Sequence, residues 1–316
     1  MAMPITEITL GIDVSKAELV IYDWGSEELT RIENQSDAIK TWLEALHGPV
    51  RIAIEPTSDY HLEVVAQLHA QDLAVYLVNP RLLAHYRKAV GERNKTDPAD
   101  ASLLARYLAH EATSLRPFKP QCARAQRLWA LIKRRGVVAG TRQKIQQSFN
   151  NIGLSTKALM REVRALTACI DRHILALIRE LGWMAEYHRC LTIPGIGPAN
   201  AAALTAAFHR GAFAGSDAFI SFIGLDIRVR ESGNFKGKRK LSKCGESEIR
   251  RLLFCATQPA RFYHRFDSYY LKQLDKGLSK IAAKVCLARK LARIAFALLD
   301  KKQSFEKQEI AYSQSP

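Results

Sequence analysis

The feature that most constrains this fold is a change of hydrophobic period along the chain. Short apolar runs of strand type are confined to its first part: Ile8–Val14, Leu19–Trp24, Thr30–Glu33, Val50–Glu55 and Ala74–Val78. They are brief and bounded by turn residues, which is the pattern of strands and not of helices. Helical patterns lie among them. Ser36 is expected to cap one through Ile39, Trp42, Leu43 and Leu46, stopped by Gly48 and Pro49. Tyr60–Ala70 reads as a second helix, a third begins near Pro80, and a fourth starts at Pro98 with Leu103, Leu104, Tyr107 and Leu108. Three strands in a meander, then alternating helix and strand, predict an α/β domain with a mixed sheet.

From about residue 121 the strand signal disappears. Val163, Leu166, Ile170, Ile174, Leu177 and Leu181 recur at spacings of three and four, after a less regular stripe of Leu128, Leu131, Val138, Ile145 and Phe149. Asn150, Asn151 and Gly153 between them predict a turn, hence an antiparallel helical hairpin. This spacing fits a dimerising arm or an ordinary bundle core equally well. Beyond residue 190 the chain reads as mainly helical, with a polar, basic loop from Arg228 to Gly245 and a last helix over about 279–300. The expected division is therefore residues 1–115, 116–190 and 191–302, with a polar tail at 303–316.

Charge follows the same division. Residues 1–112 carry 10 Lys/Arg against 17 Asp/Glu, whereas the remainder carries 37 against 14 within a net charge of +16. An acidic first domain joined to a strongly basic remainder predicts a polyanion partner for the second part, nucleic acid being the commonest. The alternative is that the Lys and Arg side chains only solvate helices. No run approaches the roughly 18 apolar residues of a membrane span, and no signal-peptide pattern opens the chain, so a cytoplasmic location is expected. The six cysteines are scattered without a Cys-x-x-Cys pair, which argues against a zinc site or disulfide framework. They are expected to be reduced core residues.

Four acids stand where such a domain can gather them. Asp13 ends the first strand, Glu55 ends a later one, and Asp97 and Asp100 flank the start of a helix. Carboxylates at strand ends converge on one sheet edge, and two acids three residues apart share a helix face. Mg²⁺ prefers hard oxygen ligands and keeps several waters, so a few carboxylates plus a phosphate complete its shell; Mn²⁺ is expected to substitute. Taken singly, each acid could be a solvated surface residue, and Asp97 ahead of Pro98 could serve only as a helix cap.

Two features of the second half bear on DNA. Ile193-Pro-Gly195-Ile-Gly197-Pro198 before an Ala-rich run fits a helix-hairpin-helix, whose glycines let backbone N–H groups approach a phosphate, or a plain inter-helix turn. Residues 228–251 carry nine basic and three acidic residues around Ser232. Such surroundings can hold a phosphate and stabilise its developing charge. The residues themselves do not single out Ser232 from Ser221, Ser242 or Ser247.

These motifs together resemble the IS110-type insertion-sequence transposases, which include Piv-type DNA invertases and bridge-RNA-guided recombinases. The resemblance rests on Gly11-Ile-Asp13-Val-Ser-Lys16, Ile54-Glu55-Pro-Thr57 and Asn94-Lys-Thr-Asp97-Pro-Ala-Asp100-Ala101. It rests equally on Phe222-Ile-Gly224-Leu, Glu231-Ser232-Gly233, Lys240-Leu-Ser-Lys243 and Arg250-Arg251-Leu252. It spans roughly residues 8–300 in the family's order. It implies a RuvC-like, RNase H-type first domain with a metal-binding tetrad at Asp13, Glu55, Asp97 and Asp100. It also implies a nucleophilic serine at Ser232 and a composite site assembled from the two. The family more often has Ala-Thr-Gly after the glutamate, where this chain has Pro56-Thr57-Ser58.

The implied activity is Mg²⁺-assisted cleavage and rejoining of double-stranded donor and target DNA through a serine–DNA link. A noncoding guide RNA and a homodimer or homotetramer are implied with it. Expected nucleic-acid contacts are Lys95, Gly195, Gly197, Arg228, Arg230, Lys236, Lys238, Arg239, Lys240, Lys243, Arg250 and Arg251. Competing readings are a Piv-type invertase, a RuvC-like junction nuclease using water, an actin-like ATPase and a non-catalytic nucleic-acid-binding protein.

Overall fold

In the computed structural model the described residues are 7–92, 96–229, 231–232, 235–237 and 239–305. They form two compact units, Met1–Pro120 and Gln121–Pro316.

The first unit is built on β1 (Ile8–Val14), β2 (Glu18–Asp23), β3 (Leu29–Glu33), α1 (Ser36–Glu44), β4 (Val50–Ile54), α2 (Leu62–Ala70), β5 (Ala74–Leu77), α3 (Pro80–Ala89) and α4 (Asp97–Glu111). The sheet runs β3-β2-β1-β4-β5. β1 pairs antiparallel with β2 and β2 with β3, while β1–β4 and β4–β5 are parallel. The expected meander and mixed sheet are both present. Leu10, Ile12, Val14, Ile52 and Ile54 are buried on the central strands, as parallel strands covered on both faces require. On one face they pack with Ile39, Leu43, Val64 and Leu68; Leu83, Leu103, Leu104 and Leu108 form a second cluster with Ala53 and Val78.

Two local expectations need correction. Ser36 is the first helical residue and not the cap; that place belongs to Gln35, whose side chain makes no capping bond. Asp97 is likewise not a cap, because Thr96 Oγ1 accepts from the Ala99 amide while Asp97 begins the helix.

The second unit contains α5 (Ala123–Ser148), α6 (Lys157–Glu180), α7 (Met184–Leu191), α8 (Pro198–Phe208) and α9 (Ser216–Phe222). Four two-residue strands follow: β6 (Ile227–Arg228), β7 (Glu231–Ser232), β8 (Phe235–Lys236) and β9 (Lys240–Leu241). Then come α10 (Ser247–Ala260), α11 (His264–Asp275) and α12 (Lys280–Asp300). The expected hairpin is α5 and α6. Leu128, Ile132, Ile174 and Ile178 from that hairpin share one core with Ala201, Leu204, Phe219, Leu253, Phe266 and Leu291. Asn200 Nδ2 donates to the Leu252 carbonyl at 3.0 Å, tying α8 to α10 inside it. Among the described residues no helix is long and apolar enough to cross a membrane.

The cysteines depart from expectation. All six are free, but Cys122, Cys244 and Cys255 are exposed and Cys190 is the buried one. Burial raises the Cys190 thiol to about 12, so it behaves as a small apolar residue.

Candidate active site and nucleic-acid interface

Asp13 and Glu55 reach the same edge of the sheet because β1 and β4 are parallel and in register, with Ile12 opposite Ile54. Each acid follows its paired isoleucine at the carboxyl end of its strand. Gly11 then admits α4. A Cβ at Gly11 would overlap the Ala101 carbonyl oxygen and the Ala105 amide nitrogen, so only glycine lets the helix backbone lie on the strand here. That approach puts the first turn of α4, with Asp97 and Asp100, beside Asp13. The unpaired amides of a helix N-terminus favour negative charge there.

The four acids interact. The Asp13 carboxyl is raised to about 6, first by burial and then by the charges of Asp100, Asp97 and Glu55 in that order. Asp13 thus lies within electrostatic reach of each of the three other acids named from the sequence. Asp100 is buried and Asp97 exposed. Among the described residues, though, no three His, Cys, Asp or Glu side chains stand as a ready-made metal cage. Asp100, for its part, is engaged by a cation.

That cation is Arg87, which the sequence reading missed. It lies in the last turn of α3 and pairs with Asp100 Oδ1 through Nη2, with the two side chains 15% and 10% exposed. No local motif marks it, because its role depends on α3 packing beside α4. Tyr86 and Tyr107 fix that packing by an edge-to-face contact at 4.9 Å. Lys95 lies outside the described residues.

The loop after Gly224 is more ordered than expected. β6 pairs with β9 and β7 with β8, both antiparallel. Ser232 is exposed and lies opposite Phe235 in the inner pair. In the outer pair Arg228 stands opposite Lys240, and both are exposed. Like charges directly across a ladder are unfavourable, and a bound polyanion relieves that cost. Arg239 and Lys243 are also exposed, Lys243 with a left-handed φ of 55°. Arg230, Gly233 and Lys238 lie outside the described residues, as does the Lys236 side chain.

Other expected contacts have internal partners. Arg250 donates to the carbonyls of Ile223 at 3.1 Å and Gly245 at 2.8 Å, strapping the loop's two ends together. Arg251 makes a two-armed ion pair with the buried Glu248 at 2.7 and 2.6 Å. Gly195, at φ 87°, lies against α10: a Cβ there would come within 2.6 Å of the Ala260 amide and 2.7 Å of the Ala256 carbonyl. Its need for glycine is thus met by helix packing. Gly197, the N-cap of α8, faces open space.

This geometry can be set beside known proteins. Residues 10–152 match a family model described as a transposase of the DEDD, IS110 type. Residues 187–271 match a second model, described as the transposase IS116/IS110/IS902 family. The chain is also similar to the pilin gene-inverting proteins of Moraxella bovis and Moraxella lacunata. Each is 28% identical over 94% of this chain and 97% of its own length.

Proposed function

This chain belongs to the IS110 transposase family of DNA recombinases, and from that premise we propose that it cuts and rejoins DNA through Ser232 with four carboxylates as its metal ligands. The observation that carries the reading is the parallel, in-register pairing of β1 with β4, which brings Asp13 and Glu55 to one sheet edge, with α4 packed directly on Gly11. A cluster of carboxylates is unfavourable without added positive charge, and hard oxygen donors suit Mg²⁺ or Mn²⁺. Bound there, a divalent ion would polarise a phosphate oxygen and offset charge developing in the transition state.

The chain's own residues would do the rest. Arg228 and Lys240 would hold the DNA backbone on either side of the loop. The Ser232 oxygen would bond to phosphorus as the bond to the 3′ oxygen breaks, and the serine proton would leave to solvent while the 3′ oxygen takes one up. The product is a 5′ phosphoserine link with a free 3′-hydroxyl. Attack by the 3′-hydroxyl of a partner strand would reverse the exchange, with no nucleotide consumed. The strand order β3-β2-β1-β4-β5 supports an RNase H-type first domain in this reading.

The Ser232→Ala protein is expected to bind DNA yet leave no covalent protein–DNA adduct on a denaturing gel. Asp13→Asn should lose the adduct too, since both halves are required. An adduct that survives Ser232→Ala would instead favour another nucleophile. The gene-inverting relatives favour a second reading of the outcome, inversion of a DNA segment in place of movement of an element. A homo-oligomer and a noncoding guide RNA belong to the same proposal, and the RNA is tested by sequencing nucleic acid that co-purifies with the chain.

A further inference from the structure

Arg87 stands in an unusual position for a cation beside a metal site. Its Nη2 donates to Asp100 Oδ1, while its Nε is buried without a hydrogen-bond partner. The guanidinium is thus largely removed from water but incompletely satisfied. A fork held on a carboxylate by two parallel bonds would be a structural lock. A single-bonded guanidinium with an orphaned Nε is held chiefly by the Asp100 carboxylate it faces. Its anchor is firm nonetheless, since Leu83 on α3 packs with Leu103, Leu104 and Leu108 of α4.

We propose that Arg87 is a resident counter-ion, which neutralises Asp100 in the metal-free chain and gives that carboxylate up when a divalent cation enters. The proposal rests on the tetrad reading and adds to it a competition. One positive charge on a flexible arm offsets part of the repulsion and keeps α4 docked on β1. A divalent ion in the same field carries twice the charge and accepts several oxygens, so it can displace the arm. Loading is then weaker than the four carboxylates alone would make it, which keeps a strand-cutting site closed until other contacts favour the ion.

The test is calorimetric titration of MnCl₂ into the full chain and its variants, beside thermal melts without metal. Arg87→Met is expected to bind Mn²⁺ about tenfold more tightly, because a nearby unit charge no longer opposes the ion. Its metal-free melting temperature should fall, and Mn²⁺ should restore it by a larger increment than in the parent. Arg87→Lys, which keeps the charge, should bind within about threefold of the parent. If Arg87→Met is too unstable without metal, Arg87→Gln retains a hydrogen-bond donor without charge and should show the same gain. Unchanged or weaker binding in the Met and Gln variants overturns the competition and leaves Arg87 a positioning residue for Asp100. Asp13→Asn separates that result from failure of the tetrad reading. Mn²⁺ binding that Asp13→Asn leaves intact would overturn the tetrad itself.

Discussion

Gly11 on β1 lies directly under Ala101 on α4, with no room between strand and helix for a single carbon. A Cβ at Gly11 would overlap the Ala101 carbonyl oxygen and meet Leu104 Cβ at 3.0 Å. The same contact fixes how far Asp97 and Asp100 stand from Asp13, two residues along the strand. Packing and site geometry are therefore one property here.

Gly11→Ala is expected to destabilise the first unit by at least about 2 kcal/mol, since a backbone and not a flexible side chain must move. Urea unfolding followed by tryptophan fluorescence measures this. The variant should also lose Mn²⁺ affinity, which a substitution affecting stability alone would not cause in the folded fraction.

What the sequence revealed and what it concealed follow one physical division. β1, β4, β5, α3 and α4 were legible because buried strands are short apolar runs and helices announce themselves with Pro at their first turn. The four acids were joined into one group only by the family resemblance, since each alone reads equally as a surface residue or a helix cap. The roles of Gly11 and Arg87 were not legible, because each depends on which helix lies over which strand. Gly195 carries a need that its motif did not display: its missing side chain makes room for α10. β6–β9 escaped notice because strands of two residues are too short to display a period.

Asp13 imposes a pH dependence on the metal-free protein. Its carboxyl is raised from 3.8 to about 6 by burial, then by Asp100, Asp97 and Glu55. Between those values the folded chain holds a proton that the unfolded chain has released, so stability falls as pH rises through that window. Asp13→Asn should flatten the fall and make the metal-free chain more stable above pH 6. Denaturation midpoints measured between pH 4 and pH 7 decide it, and an equal slope in both proteins would contradict the shift.

Ser58 sits in the turn after Glu55 with a φ of 47°, in the left-handed region. The conformation costs an L-residue about 1–2 kcal/mol, while glycine gives back up to about 1 kcal/mol in unfolded-chain entropy. Ser58→Gly should therefore stabilise by about 0.5–1 kcal/mol, read as a higher urea midpoint with an unchanged slope.

The arginines of the second unit separate by what they already hold. Arg228 and Lys240 face each other across β6 and β9 and are exposed, so their charges are mutually unfavourable until an anion arrives. Arg250 is bonded to the Ile223 and Gly245 carbonyls, and Arg251 to Glu248. Arg228→Ala and Lys240→Ala should each weaken DNA binding across sequences and reduce the slope of log affinity against log salt by about one. Arg250→Ala should instead lower thermal stability, because two carbonyls lose their donor, and leave the salt slope of the folded protein unchanged. Fluorescence anisotropy of labelled duplex at several salt concentrations distinguishes the two groups. An Arg250→Ala slope reduced by one, with stability intact, would move that side chain from the fold to the DNA.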